Sequence, residues 1–427
     1  MLRKIILISV LSFSALAVFT QNPLLTKYRQ MSLDYDQIVR TASLEVEGAE
    51  SMKQAAKSDY YPKLDFQGNY DYIGRELRVE GYPDIEGFNN YYDVSLYLTQ
   101  PIYTGGNIKY TYRAAELEEM MAADRSELSI QDIILQTDKI YWKAVAKKEK
   151  LALSYDYKQT IIDLVRVIED RVEEEVISRE DLLMSKVQLN TANLLVLKAE
   201  NELVVSIMQL NRITGQPIDQ ATLVDTLLDV TFTEYNDTEL LNRALSQRPE
   251  VLFGEKAVEL NEAYTKLTAS KYLPQFGVGV SGLYGAPSYD LQTSPDFNYG
   301  AFARLNVPLF YWGKKRKEVR ASEIQTEVAT LNLERTMDFV SLEVLEASYW
   351  LDEAVSRVNL TNSSLLNADE NLEVLSDRYD EGLTSILAVL DAQFTWQQAY
   401  ADHIDAKLNY LMTYSAFRRA LGELTVQ

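Results

Sequence analysis

Residue types that do chemistry are sparse in this 427-residue chain, and their spacing argues against an active centre. It has one histidine, His403, and no cysteine. A single imidazole without a neighbouring carboxylate–histidine pattern makes no recognisable metal or proton-transfer site, so His403 reads as a packing residue on a helix. The acidic run Glu173-Glu174-Glu175 could attract a cation, but an exposed turn explains it as well. Four consecutive cations, Lys314-Lys315-Arg316-Lys317, could be read as a nucleic-acid patch. However, 42 Lys and Arg against 63 Asp and Glu give a formal charge of −21, which disfavours nucleic acid or anionic lipid as a partner of the chain as a whole. No Ser-His-Asp set, metal-ligand spacing or glycine-rich phosphate loop appears. The expectation is therefore no catalytic residue, no metal, no cofactor and no enzyme activity.

The amino terminus sets the compartment. Leu2-Arg3-Lys4 is a short basic segment and Ile5 to Phe19 an apolar run, with a small-x-small site at Ala15-Leu16-Ala17. That pattern predicts a signal peptide over 1–20, too short to span a bilayer comfortably. The charge becomes −23 once Arg3 and Lys4 leave. With no cysteine there is neither a disulfide framework nor a site for a lipoprotein anchor.

The chain is two copies of one unit. Ser58-Asp59-Tyr60-Tyr61-Pro62-Lys63-Leu64 recurs as Ser270-Lys271-Tyr272-Leu273-Pro274-Gln275-Phe276, and Gln100-Pro101-Ile102-Tyr103 as Val307-Pro308-Leu309-Phe310. From Pro101 onward the offset is a constant 207, carrying Arg171 to Arg378 and Gly215 to Gly422. Asn107 to Thr214 contains no glycine or proline, and Lys314 to Leu421 contains only Gly382. Heptad spacing at Leu182, Leu189, Val196, Leu203 and Leu210, and at Val389, Trp396, His403, Tyr410 and Phe417, predicts coiled coil. The polar clusters Glu173-Glu174-Glu175 and Asp380-Glu381-Gly382 break each stretch once, giving two antiparallel helical hairpins.

Four segments between the helices alternate with period two. Leu64, Phe66, Gly68, Tyr70 and Tyr72 face Asp65, Gln67, Asn69 and Asp71. Val94, Leu96 and Leu98 alternate with Ser95, Tyr97 and Thr99. Phe276, Val278 and Val280, then Ala301, Ala303 and Leu305, complete the set. Strands of about nine or ten residues with one apolar and one polar face suit a transmembrane barrel around a watery lumen. Tyr70, Tyr72, Tyr91, Tyr92, Tyr284 and Tyr299 would form its interfacial girdle. Short, unstructured connections are expected at Ile73 to Asn90 and Gly285 to Asn298, and Lys314 to Lys317 would be a basic collar beside the membrane. Four strands cannot close a barrel, and an open edge is not tolerated in lipid. A dimer would give a narrow, plugged barrel, so a homotrimer is expected. The competing reading is a non-conducting structural coiled-coil protein that spans the periplasm, which has no need of such strands.

In this order, duplication and spacing, the motifs resemble the TolC family of outer-membrane efflux proteins: Tyr61-Pro62 and Leu273-Pro274 before each first strand, QPIYTGG and VPLFYWGKK after each second, LNRITG and RRALG at the copy ends. The resemblance covers nearly the whole mature chain. It implies a mainly α fold with a shared trimeric β-barrel in the outer membrane and a coiled-coil α-barrel in the periplasm. The division expected is a signal peptide at 1–20, a short helical segment at 21–62 and a β-hairpin at 63–104. A long helical hairpin at 105–215 and a linker at 216–236 follow. The second copy then gives a short helix at 237–274, a β-hairpin at 275–312, a helical hairpin at 313–422 and a tail at 423–427. The resemblance implies an exit duct for tripartite efflux or type I secretion. Its partners would be a periplasmic adaptor protein, an inner-membrane pump that is proton-driven or ABC-type, and outer-membrane lipid.

Hairpin tips in that family dock the adaptor through an Arg-x-x-x-Gly turn. The resemblance places docking at Arg378, Gly382, Leu383, Thr384 and Ser385, and at Arg171, Val176, Ile177 and Ser178, where Glu175 replaces the glycine. It places a periplasmic gate at Asp181, Asp391 and Tyr379. The chain departs from the family's pattern in carrying Ala388 at a second acidic position and Thr384 at a gating arginine.

Overall fold

A computed structural model describes residues 22–77, 88–225, 230, 232, 237–286 and 294–426. The expected signal peptide lies outside the described residues. The first copy runs α1 (Pro23–Tyr35), α2 (Gln37–Ser58), β1 (Lys63–Leu77), β2 (Phe88–Tyr103), α3 (Asn107–Glu173) and α4 (Arg179–Thr214). The second runs α5 (Asp237–Gln247), α6 (Pro249–Ser270), β3 (Gln275–Ala286), β4 (Asp296–Asn306), α7 (Lys314–Asp380) and α8 (Ile386–Ala420). The long helices keep the offset of 207 at both ends, as α3 and α7 each have 67 residues. At 1.5 Å per residue each reaches about 100 Å.

Each short helical segment is two helices, not one. Asp36 interrupts the first: its backbone is extended and its carboxylate accepts from Ile38 N at 2.7 Å, which caps α2. In the second, Pro249 cannot donate to the preceding turn, so α5 ends and α6 begins there.

The four strands form one antiparallel sheet in the order β1-β2-β3-β4. Its register puts the apolar residues on one face: Phe66 pairs with Leu96, Leu98 with Val280, and Val278 with Ala303. Asp65, Asn69, Thr99, Ser281, Arg304 and Asn306 fall on the other. Period two therefore separates Tyr91 from the rest of the expected girdle. It pairs with Asp71 on the polar face, whereas Tyr70 pairs with Tyr92 on the apolar one. The strands are also longer than expected. Leu77 pairs with Phe88, and Gly285 with Asp296, so residues 73–77, 88–90, 285–286 and 296–298 are strand and not connection. Backbone ladder bonds extend the sheet past the point where side-chain alternation fades. The apolar face is bare in one subunit, with Phe66 72% and Tyr299 82% exposed. No described helix is long and apolar enough to cross a membrane.

Alpha3 packs against α4 and α7 against α8, while α2, α3, α6 and α7 lie side by side nearer the sheet. Midway, the buried pair Arg29–Asp138 (2.7 Å) ties α1 to α3, and Ser415 Oγ from α8 donates to the same carboxylate at 2.8 Å. These added bonds offset the cost of removing both charges from water. The chain after α4 is held to α1 and α3, since Tyr28 Oη donates to the Leu223 carbonyl (2.6 Å) and Lys148 Nζ to that of Val224 (2.7 Å).

Candidate gate and docking tips

Both hairpin turns have the same backbone despite different residues. In the second, Leu383 N bonds the Arg378 carbonyl (2.8 Å) and Gly382 N that of Tyr379 (3.0 Å). In the first, Val176 N bonds the Arg171 carbonyl (2.9 Å) and Glu175 N that of Val172 (3.1 Å). This is the paired closure of a helix end through a left-handed residue. Gly382 sits at φ 75° and Glu175, its counterpart at offset 207, at φ 61°. Glutamate thus replaces glycine without changing the turn, although an L-residue pays to adopt this conformation.

The tips meet over a small apolar core of Tyr157, Ile161, Ile168, Ile386, Val389 and Tyr379, with Ile177 at its margin. Across it, the Arg171 guanidinium of α3 lies 4.9 Å from the centre of the Tyr379 ring of α7 and bonds Asp380 at 3.1 Å. Tyr379 is buried, and its hydroxyl has no hydrogen-bond partner of good geometry among the described residues. Burial raises the Tyr379 hydroxyl above the usual phenol range; Arg171 opposes the rise, and the carboxylates of Asp181 and Asp380 add to it.

Asp181 is tied to its own helix start. Ser178 Oγ donates to its carboxylate (3.0 Å) and accepts from its N–H (3.3 Å), a capping arrangement. Ser385 makes no such side-chain bond; Ala388, which stands where Asp181 does in the first copy, offers no carboxylate, and its N–H goes to the Ser385 carbonyl (3.1 Å). Asp391 is exposed, with no hydrogen bond or ion pair among the described residues. The structure therefore gathers Arg171, Tyr379 and Asp181, while Asp391 makes no bond to them and follows Val389 and Leu390 of the same apolar core. Val176, Ser178, Arg378, Gly382, Leu383 and Ser385 are exposed at the turns, and Thr384 is half-buried. Asp380 belongs to this cluster but was not singled out by sequence reasoning. Its partner lies 209 residues away, and the only sequence hint is that the copies differ beside it, with Tyr379 matching Val172.

His403 is buried between α8 and α7, with Nδ1 3.1 Å from Thr361 Oγ1. Burial, with Lys407 nearby, holds its pKa below the usual imidazole value. Among the described residues no group of three or more His, Cys, Asp or Glu could hold a metal ion.

An amphipathic four-stranded sheet with two open edges, continued by paired helices about 100 Å long, defines one subunit of an outer-membrane duct. The chain belongs to the outer membrane efflux protein family, whose sequence profile matches residues 29–216 and 240–423. It is 22% identical to the outer membrane protein TolC of Escherichia coli K12 over 433 residues, covering 98% of this chain and 86% of TolC. It is likewise 22% identical to the toluene efflux pump outer membrane protein TtgI of Pseudomonas putida, covering 95% and 86%. Among solved structures, VceC of Vibrio cholerae has the same fold, with a TM-score of 0.76 at 17% identity over 93% of this chain and 96% of VceC. The open state of MtrE of Neisseria gonorrhoeae gives 0.76 at 17% over 94% and 89%. The protein is thus an outer-membrane exit channel of an efflux system, trimeric, with its helices in the periplasm, and not an enzyme.

Proposed function

We propose that the paired tips are the periplasmic entrance of this channel, held shut by the Arg171 clasp and opened when a periplasmic adaptor engages the exposed turns. An inner-membrane pump, proton-driven or ABC-type, would complete the assembly. The observation that carries the reading is the reach of Arg171 from one hairpin onto Tyr379 and Asp380 of the other. A cross-hairpin contact is what the two hairpins must break to move apart. Matching turn backbones support docking at both tips, at Arg171, Val176, Ile177 and Ser178 and at Arg378, Gly382, Leu383, Thr384 and Ser385.

In a trimer Asp181 and Asp391 supply six carboxylates near the entrance. At a spacing of about 8 Å and an effective dielectric of about 20, neighbouring charges repel by about 2 kcal/mol, enough to recruit cations. Because Asp181 also caps α4, Asp391 gives the cleaner test. Asp391→Asn should weaken block by divalent cations and lower cation selectivity in planar bilayers while the trimer's melting temperature stays unchanged. Unchanged block and selectivity in the variant would remove Asp391 from the gate.

A further inference from the structure

Two non-glycine residues among those described have a left-handed backbone, Glu175 and Trp312 (φ 49°). At the offset of 207, Trp312 corresponds to Gly105, which has φ 65°. The same turn therefore exists in both copies, glycine serves it in one, and the other places there a bulky residue that disfavours the conformation. Packing within the subunit does not account for the choice, since Trp312 is 90% exposed. Leu309 and Phe310 beside it are 89% and 70% exposed, and Phe310 meets the indole edge-on at 4.9 Å. This aromatic projection follows β4 directly, at the junction of membrane sheet and periplasmic helix.

Next in the chain come Lys314 to Lys317, where the first copy has Asn107-Ile108-Lys109-Tyr110. Lys314 lies 3.6 Å from Glu318; Lys315, Arg316 and Lys317 have no ion-pair partner among the described residues. An open cleft of about 660 Å³ runs past them, lined by these three cations, Arg320, and the single carboxylate Glu323. Three unpaired cations on a chain of charge −21, beside exposed aromatics at membrane depth, match anionic phospholipid: phosphates for the cations and the headgroup–acyl boundary for the rings.

We propose that Trp312 and Lys315, Arg316 and Lys317 form a binding site for anionic phospholipid in the periplasmic leaflet, one per subunit. Each cation near an anionic surface contributes a factor of about five, so the set favours anionic over zwitterionic lipid by up to about a hundredfold at low salt. The test uses the intact trimer in nanodiscs containing phosphatidylglycerol or phosphatidylcholine brominated high on the acyl chain, read by quenching of tryptophan fluorescence. In the wild type, brominated phosphatidylglycerol should quench more than brominated phosphatidylcholine at equal fraction, and salt should erase the difference. K315Q/R316Q/K317Q should lose the preference yet stay trimeric and remain quenched by both lipids. W312G should lose the quenchable component without loss of thermal stability, because glycine suits the backbone there. Equal quenching by the two lipids in the wild type would overturn the proposal. So would a Trp312 that neither lipid quenches, with dissociation of the triple variant, which would make the patch a contact between subunits.

Discussion

Replacing Arg171 by alanine removes the clasp with little else disturbed, because the side chain reaches outward from the last turn of α3. Its guanidinium sits 4.9 Å from the Tyr379 ring centre, where a cation contributes about 0.5–2 kcal/mol depending on exposure. The bond to Asp380 is weaker support. That carboxylate is 71% exposed, and such pairs give about 0.2–1 kcal/mol. On the proposed reading the two contacts would together hold a subunit shut by about 1–3 kcal/mol. If three subunits open together, about 2–9 kcal/mol would be lost, which would raise the open fraction by roughly two to six orders of magnitude. Conductance of Arg171→Ala in planar bilayers should rise well above that of the wild type at unchanged trimer abundance. Arg171→Lys should fall between, since a lysine keeps the charge but not the planar stacking. Asp380→Asn should have the smaller effect, and one that salt mimics. A trimeric Arg171→Ala with wild-type conductance would refute the clasp.

Three further outcomes follow from the same geometry. Leu96→Arg or Val278→Arg should block assembly, since a cation near the middle of the lipid face of a barrel costs about 2–4 kcal/mol per copy, whereas Asn69→Arg or Thr99→Arg should assemble. Equal trimer yields in the two sets, measured by gel filtration, would refute this assignment of the sheet faces. Glu175→Gly should stabilise the first tip by about 1 kcal/mol by relieving the left-handed backbone, seen as slower hydrogen exchange at residues 171–178. Burial, with Lys407 nearby, depresses the His403 pKa in the folded state. The stability it allows is complete above the unfolded imidazole value and is lost as pH falls from there through the folded one. Melting curves at mildly acid and neutral pH should therefore diverge more for the wild type than for His403→Val, which carries the first copy's residue; equal divergence would clear His403.

What the sequence made legible depended on whether the force involved was local. Helical hairpins and the apolar sheet face follow from periodicity along the chain, and the offset of 207 made each copy a check on the other. Strand ends were not legible, because backbone pairing at Leu77 and Phe88 needs no alternation of side chains. The clasp was invisible for another reason: Arg171 and Asp380 meet only because two hairpins pack together. The duplication helps here in a way a single domain cannot. Where two copies share a backbone, its geometric demands are common to both, so a residue present in only one copy answers to something else. Tyr379 against Val172 and Asp181 against Ala388 mark the cluster at the tips. Glu175 against Gly382 and Trp312 against Gly105 mark places where one copy accepts a strained backbone that the other avoids. Such strain persists only where the surroundings hold it. The differences between the copies therefore direct attention to the two ends of the long helices, the tips and the junction with the sheet.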